Sequence, residues 1–368
     1  MPSQDRPIAR LLSLATAVPS HLLTQSAISG AAAKLFSGND SPYPRLRRIY
    51  ENAGIRQRYS TLPLEELEQA RGWRLWHEAF QSAALLLLEE VARRALTRAG
   101  LEPAQVDTLL VACSTGFAVP SLDALLLDRV PFPRTVERVP LVGYGCAGGI
   151  LGLSRAAAMA RARPGSIVLF LTVELCTLTF RPKDRSSTNL VATALFGDGA
   201  AAAVVACGDH PDAPGLGPHG EYCWPESEEI MGWDLQDDGV GIRLSPSLPQ
   251  LIRRDARGLI EDFLDRNHLS LGNIDHWVLH PGGAKVLASL QDCLGLAEEE
   301  LLPARRVLRD YGNMSAPTVL FVLQEILMAG AAGRFFCLAF GPGFTAAFLL
   351  LESNGHWPLS RSCLARPR

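Results

Sequence analysis

The sequence predicts an α/β protein in which layers of helices cover buried sheets. Long apolar runs, such as SIVLFLTVELCTLTF at residues 166–180, are typical of strands that are buried on both faces. Amphipathic segments, such as HEAFQSAALLLLEEVARRALTRAG ending at Gly100, alternate with these runs and indicate helices. The alternation recurs in a second half of the chain, so we expect two similar halves of one layered architecture.

The length of 368 residues exceeds that of one typical core and agrees with two packed halves. We place the first half at residues 1–207 and the second half at residues 226–352. A stretch rich in Pro, Gly and His, residues 208–225, is expected to connect them, and residues 353–368 are expected to form a basic tail.

The elements of each half follow from the apolar patterns. In the first half we expect strands at residues 7–18, 106–115, 166–180 and 196–207 and helices at residues 76–100 and 121–129. A strand–turn–helix unit is expected at residues 139–162, and polar helical segments follow the first strand up to about residue 60. In the second half we expect a helix at residues 248–268, a strand at residues 274–283 and then a further helix. The segment at residues 311–330 is expected to lead into a long helix, and two strands follow at residues 334–340 and 344–352.

Composition narrows the class of protein. The chain has 48% hydrophobic residues and a net charge of −3, and it lacks a basic stripe with interleaved aromatics, which argues against nucleic-acid binding. The eight cysteines form no CxxC pair and no zinc spacing, so we expect reduced thiols in the cytoplasm and no metal site. The apolar N-terminal stretch is interpreted as a strand and not as a signal peptide. Charges and glycines interrupt residues 319–351, so no membrane span is expected.

Cys146 is the first candidate for chemistry. It lies at a bend where an apolar strand ends and a helix with small residues begins. A thiol at the positive end of a helix is favoured as the thiolate, which is the nucleophilic form of cysteine. The alternative is a buried structural cysteine beside a close-packed turn.

His280 and Asn313 are the best partners for that thiol. His280 follows the strand WVL, at the edge of the sheet where ligands of α/β proteins gather, and Asn313 precedes a long helix that Ser315 is expected to cap. A base and an amide donor next to a nucleophilic cysteine are suited to acyl transfer, since the donors stabilise an oxyanion. The alternatives are a hydrogen-bonded core histidine and an asparagine that only forms a turn.

With these motifs in order, the chain resembles the type III polyketide synthases, the chalcone synthase-like branch of the thiolase fold. The resemblance extends from the first strand to about residue 352, and it rests on the Cys146 turn, LFGDGAAAAVV, HPGG, GNMS and the Gly-Pro-Gly loop at residues 341–343. It implies two thiolase-like halves in a five-layered αβαβα arrangement. It also implies that Cys146, His280 and Asn313 form a catalytic triad.

The resemblance implies further site residues. Phe196 matches a phenylalanine that guards the junction of tunnel and cavity, and Ile242 stands where plant members have a second phenylalanine. Other expected cavity residues are Ser114, Thr115, Cys176, Leu178, Thr179 and Ser315. A small residue at 176 can open a tunnel for a fatty acyl chain. Arg45, Arg48 and Asn52 match the positions that hold the coenzyme A phosphates, although without the resemblance this basic cluster would be interpreted as a solvated helix face.

The reaction that the resemblance implies is an iterative decarboxylative condensation. Malonyl-CoA would extend an acyl starter on Cys146, and similarity to bacterial alkylpyrone and alkylresorcinol synthases favours a long-chain starter delivered by coenzyme A or a carrier protein. No metal or redox cofactor is expected, and the family forms homodimers. Two alternatives remain open, a β-ketoacyl-carrier-protein synthase III-like enzyme that extends once, and a noncatalytic acyl-binding protein of the same fold.

Overall fold

The structure is a computed structural model that describes residues 7–36, 43–69, 72–237 and 239–357, with the side chains of residues 43–46 outside the description. The strands are β1 (Ala9–Ala17), β2 (His21–Thr24), β3 (Gln57–Ser60), β4 (Thr108–Ala112), β5 (Glu137–Leu141), β6 (Ile167–Leu175), β7 (Asp198–Cys207), β8 (Gly215–Cys223), β9 (Met231–Gln236), β10 (Gly239–Leu244), β11 (His276–Leu279), β12 (Ala332–Gly341) and β13 (Thr345–Asn354). The α-helices are α1 (Gln25–Leu35), α2 (Tyr43–Asn52), α3 (Leu64–Leu67), α4 (Trp73–Ala99), α5 (Leu122–Leu126), α6 (Gly148–Ala162), α7 (Ser187–Leu195), α8 (Leu248–Asp265), α9 (Ala284–Leu294), α10 (Glu298–Tyr311) and α11 (Ala316–Met328).

Within the described residues, nine strands form one mixed sheet in the order β11-β12-β13-β8-β1-β7-β6-β4-β5. Five of these strands come from the first half of the chain and four from the second half. The two groups meet at a short antiparallel pair between β1 and β8, in which Ala9 faces Leu216 and Arg10 faces Gly215. The predicted halves are therefore joined by backbone hydrogen bonds as well as by side-chain packing.

Half of the expected connecting segment, residues 208–225, forms strand β8 of the large sheet, which the sequence analysis did not predict. Its composition hides the strand, since Gly and Pro are normally depleted in sheets. Pro218 lies at an irregularity where the register with β13 shifts between Leu349 and Leu351. A proline has no N–H to donate, and a bulge is one of the places where a sheet tolerates it.

The helices divide into three layers around the two halves of the sheet. Helices α6 and α11 pack on each other and on strands of both halves, which places them in the middle. Helix α4 covers the outer face of β1, β6 and β7. On the opposite side, Phe263 of α8 stacks on Phe348 and meets Phe336 edge-on. This arrangement confirms the layered α/β class and the αβαβα order.

Burial on both faces explains the unbroken apolar strands. Along β7, Ala201, Ala203 and Val205 face the middle helices, and the alternate residues Ala200 and Val204 face α4. None of these side chains reaches solvent. A strand of this kind shows no polar alternation, as the sequence pattern indicated.

Other boundaries differ from the prediction where turn chemistry overrides the apolar pattern. The strand expected at residues 166–180 ends at Leu175, and Cys176–Thr179 form a 3₁₀ turn. The long helix ends as expected, with Gly100 left-handed at φ +68°.

Two elements of the second half were not predicted. One helix was expected between β11 and residue 311, but the chain forms both α9 and α10 there, and the β9–β10 hairpin was missed. Most of the expected tail, residues 358–368, lies outside the described part.

No helix in the described part of the chain is long and apolar enough to cross a membrane.

Candidate active site

The expected catalytic residues converge on one cavity of about 530 Å³. This volume lies in the range of small-molecule sites. Residues of both halves of the chain line it, although the triad members are far apart in sequence. The lining includes nearly all the sequence-predicted site residues that the structure describes, namely Arg48, Asn52, Ser114, Thr115, Cys146, Cys176, Thr179, Phe196, Ile242, His280, Asn313 and Ser315.

Cys146 lies in a 3₁₀ turn, Gly145–Ala147, that leads directly into α6. Gly145 has φ +47°, a left-handed conformation that suits glycine, and its N–H donates to Ser114 Oγ at 2.9 Å. The thiol is almost fully buried, and its Sγ lies 3.9 Å from Asn313 Oδ1. The turn thus holds the thiol at the N-terminus of α6, with its sulfur toward the cavity partners.

The close packing of α6 on α11 brings this turn to the second half of the chain. A Cβ atom on Gly149 would lie only 2.3 Å from the carbonyl oxygen of Ala316, so glycine is required for the helices to approach this closely. Ala316 begins α11, directly after Asn313, Met314 and Ser315. Cys146 and Asn313 therefore meet because two helix N-termini cross.

His280 follows β11, and its backbone N–H donates to the carbonyl oxygen of Leu338 at 2.8 Å. The ring is buried, and neither Nδ1 nor Nε2 has a hydrogen-bond partner among the described residues. A buried polar group without a partner is costly unless a ligand supplies one. Because His280 lines the cavity, its imidazole retains hydrogen-bonding capacity for a substrate.

The backbone of Asn313 forms hydrogen bonds with the two residues that flank Phe196 in the sequence. Its N–H donates to Leu195 O and its carbonyl accepts from Gly197 N, each at 2.9 Å. In the side chain, Oδ1 accepts from Ser315 N at 2.8 Å and Nδ2 donates to Gly282 O at 3.2 Å. An amide NH₂ has two protons, so one donor remains for the cavity.

Ser315 does not cap α11 through its side chain, contrary to expectation. Its backbone is left-handed at φ +57°, and its carbonyl accepts from Thr318 Oγ1 at 2.8 Å. The strained residue directs its backbone N–H to Asn313, which fixes the side-chain amide of that residue.

Burial disfavours the charged form of the Cys146 thiol and of the His280 imidazole when only one of the two is charged. It raises the pKa of Cys146 to about 11 and lowers the pKa of His280 to about 3. Hydrogen bonds from Ser315 and Asn313 lower the Cys146 pKa in part. Proton transfer from Cys146 to His280 would create both charges together, and their attraction within the cavity that both residues line, with the N-terminus of α6 beside the thiol, would oppose the cost of burial. The sequence-based expectation of an easily formed thiolate thus depends on the pair and not on the cysteine alone.

Glu174 is a site residue that the sequence reasoning missed. Its carboxylate is fully buried on β6 and accepts from Ser114 N at 3.0 Å and Thr115 N at 2.8 Å, which fixes the loop behind Cys146. Burial raises the pKa of Glu174 to about 7. A lone carboxylate inside the apolar run LFLTVEL was the available signal, since glutamate is almost never fully buried without a specific role.

The mouth of the cavity is basic. Arg48 and Asn52 line it from α2, and Lys285, at the start of α9, lines it from the other side and was missed by the sequence reasoning. Arg45 belongs to α2, but its side chain lies outside the described part.

A second, apolar pocket of about 60 Å³ lies behind the main cavity, and the two share Cys176, Thr179 and Phe196 as a common wall. Its lining is mostly apolar and combines residues of α1 and α3 with others, namely Leu23, Ile28, Ala31, Leu35, Leu64, Leu67 and Phe180, beside the polar or charged residues Arg58, Glu68, Thr177 and Thr193. One water needs roughly 10–15 Å³ by the same measure, so the pocket has room for several methylene groups.

Leu178 does not line the main cavity, which corrects the expectation for this residue. In a 3₁₀ turn, residues three apart share a side, so Cys176 and Thr179 face the cavity together while Leu178 faces away. Leu178 packs in the core under α4, and its carbonyl accepts from Trp76 Nε1 at 3.0 Å.

Comparisons with known proteins agree with this site. The family models of the chalcone and stilbene synthases match residues 2–210 (N-terminal domain) and 220–354 (C-terminal domain). The chain is 33% identical to a putative chalcone synthase of Bacillus subtilis, over 94% of this chain and 99% of the relative. It is 36% identical to 1,3,6,8-tetrahydroxynaphthalene synthase of Streptomyces peucetius, over 92% and 91% of the two chains.

A solved structure agrees as well. The 1,3,6,8-tetrahydroxynaphthalene synthase of Streptomyces coelicolor, a bacterial type III polyketide synthase, superimposes with a TM-score of 0.89 at 27% identity, over 94% of this chain and 99% of that one. The chain therefore belongs to the chalcone and stilbene synthase family, and it is a type III polyketide synthase, an acyltransferase of the thiolase fold.

Proposed function

We propose that this synthase extends a long-chain fatty acyl starter, held on Cys146, by repeated decarboxylative condensation with malonyl-CoA and closes the product to an alkylpyrone or alkylresorcinol. The observation that carries the choice of starter is the apolar pocket behind Cys176, Thr179 and Phe196. An alkyl chain on Cys146 gains free energy when it enters that pocket, at about 0.8 kcal/mol for each methylene buried.

Acylation begins with transfer of the Cys146 proton to His280. The thiolate attacks the starter thioester, the C–S bond to coenzyme A breaks, and the leaving thiolate takes the proton back from the imidazolium. The basic mouth formed by Arg48 and Lys285 attracts the phosphates of the incoming thioester. The products of this step are acyl-Cys146 and free coenzyme A.

Extension uses the two donors above the thiol. His280 and the remaining Nδ2 proton of Asn313 bind the thioester oxygen of malonyl-CoA. Loss of carbon dioxide then leaves an enolate on that oxygen, and removal of one such donor costs on the order of 3 kcal/mol in the transition state. The enolate carbon attacks the acyl carbonyl, the bond to Sγ breaks, and the lengthened chain returns to Cys146 for another round. Each step moves protons, carbon dioxide or acyl groups, so the proposed reaction requires no bound metal and no redox cofactor.

The lining supports an aliphatic starter over a small polar one. A malonyl starter carries a carboxylate, which a mostly apolar pocket does not stabilise, and the Arg58 guanidinium in its lining already donates to four acceptors of the protein. Ile242 lies on β10 in the cavity wall. Its aliphatic side chain can pack against an alkyl chain of the substrate as well as an aromatic side chain at this position could. The relatives named 1,3,6,8-tetrahydroxynaphthalene synthase and phloroglucinol synthase carry other product names, so the starter and product proposed for this chain rest on its pocket and not on those names.

The test is product analysis with acyl-CoA starters of increasing chain length and malonyl-CoA. We expect triketide or tetraketide pyrones or resorcinols from long starters. Cys176→Phe is expected to block long starters and spare short ones, because the added ring fills the shared wall, whereas Cys176→Ser retains the volume and serves as the matched control. Unchanged long-chain turnover in Cys176→Phe contradicts the tunnel. A single β-ketoacyl extension indicates an enzyme of the initiating carrier-protein type, and absence of an acyl adduct on Cys146 indicates a binding protein.

The assembly and location are part of the proposal. Val119, which is 97% exposed, and Phe117 follow β4, and the exposed Val142 follows the parallel neighbour β5, so all three emerge at the same end of the sheet. Such a group of exposed apolar side chains supports a homodimer through this surface. All cysteines in the described part of the chain are free, which supports a location in the cytoplasm.

A further inference from the structure

Arg58, on β3, is a buried charged residue that lines the second pocket but has no chemical step in the proposed reaction. It is only 1% exposed, and its guanidinium binds no carboxylate among the described residues. It donates instead to three carbonyl oxygens and to the side-chain oxygen of Gln25. Burial of a charge is expensive, so four acceptors gathered around one guanidinium indicate a specific role for it.

The three carbonyls belong to the end of α7 and the residue after it. Nη1 donates to Thr193 O at 2.9 Å and Phe196 O at 3.0 Å, and Nη2 donates to Ala194 O at 2.9 Å. The last carbonyls of a helix have no partners within the helix, and a positive charge there is stabilised by the helix dipole. Arg58 thus terminates α7 at the corner where the chain turns into β7.

The same corner holds Asn313. The one carbonyl that Arg58 leaves free, Leu195 O, accepts from Asn313 N, and Gly197 N donates to Asn313 O. The stem of Arg58 also packs against this backbone, since a Cβ atom on Gly197 would lie 3.1 Å from the Cβ of Arg58. The position of Asn313 therefore depends on the corner that the guanidinium holds.

We propose that Arg58 is a positioning residue that places Asn313 and the wall residue Phe196 by holding the end of α7. The inference rests on the proposed function in one respect, the assignment of Asn313 to decarboxylation. Cys146 lies on a different support, the start of α6. Arg58 should therefore affect loss of carbon dioxide from malonyl-CoA much more than acylation of Cys146, which Asn313 touches only through its Oδ1 at 3.9 Å from Sγ.

The first test compares two rates in Arg58→Lys, in which the charge remains but the planar fork is lost. We expect release of carbon dioxide from malonyl-CoA to fall about 10- to 100-fold, since a displacement of 1 Å has that effect on a catalytic group. We expect loading of Cys146 by a short acyl-CoA, which does not need the pocket that Arg58 lines, to change less than about threefold when followed by intact mass. A purely structural role would reduce both rates together, and that result overturns the proposal.

A matched control separates positioning from general destabilisation. Val91→Ala opens a cavity on α4, in the core on the far face of the sheet, and its fall in Tm should leave the ratio of the two rates unchanged. If Arg58→Lys does not fold, Gln25→Ala takes its place. It removes one acceptor from the guanidinium and one donor from Ala194 O, so the same change in ratio is expected at smaller size.

A second measurement needs no substrate and is independent of the proposed function. The amide protons of Gly197 and Asn313 are protected by the hydrogen bonds across the corner. In Arg58→Lys, hydrogen exchange of peptides covering residues 193–198 and 311–315 should become faster, while α6 peptides remain protected. Unchanged exchange at the corner overturns the role of Arg58, whereas absence of malonyl-CoA decarboxylation in the unaltered protein, with the exchange result as expected, refutes only the proposed function.

Discussion

His280→Gln is the substitution that tests how Cys146 becomes a nucleophile. Burial raises the pKa of Cys146 to about 11, and in this variant the imidazole that would take the thiol proton is gone. At pH 7 the thiolate would then amount to about one part in ten thousand, and it would rise about tenfold with each pH unit up to pH 10. In the unaltered protein, His280 accepts the proton, so the thiol should react faster at neutral pH and depend less on pH.

The assay is the rate of carbamidomethylation of Cys146 by iodoacetamide from pH 6 to 10, read by mass spectrometry. Cys223 is exposed, so its labelling in the same sample corrects for the reactivity of the reagent. His276→Gln on β11 is the matched control, because this imidazole bonds Ala332 O outside the cavity. We expect His280→Gln to react at least about 10-fold more slowly than either protein at pH 7 and to approach them at high pH. Equal rates and equal pH profiles in all three proteins would refute the proton transfer to His280.

Three further predictions concern stability and chemistry. Burial raises the pKa of Glu174 from 4.5 to about 7, so its contribution to the free energy of unfolding is complete below pH 4.5 and is lost as pH rises through 7. In urea unfolding, Glu174→Gln should therefore gain up to about 3 kcal/mol relative to the unaltered protein between pH 4.5 and 8. A difference that does not change with pH contradicts this. Gly149→Ala should lower the free energy of unfolding by about 1–3 kcal/mol because its Cβ meets the α11 backbone, whereas Gly30→Ala on α1, with open space around it, should not destabilise. Cys146→Ala should abolish the acyl adduct and the polyketide while His280 and Asn313 still release carbon dioxide from malonyl-CoA; product formation by this variant would rule out Cys146 as the nucleophile.

Much of the fold could be predicted because its signals are local. Strands such as β7, buried on both faces, must be continuously apolar, and the end of α4 at Gly100 needs a left-handed residue. Strand β8 could not be predicted in the same way. Its residues have poor strand propensity, and it forms because β1 and β13 satisfy its backbone, which is a non-local effect.

The chemistry of the site could be inferred from residue types alone, because a cysteine, a histidine and an asparagine in recognisable turns, Cys146, His280 and Asn313, are typical of a family of acyl-transfer enzymes. Which residues surround them depends on the three-dimensional packing. The side on which a residue of the 3₁₀ turn lies separates Cys176 from Leu178, although the two are only two residues apart in the same apolar run. Charge on a buried group depends on what the fold places beside it, so the raised pKa of Glu174 and the dependence of Cys146 on His280 arise only when distant segments pack together.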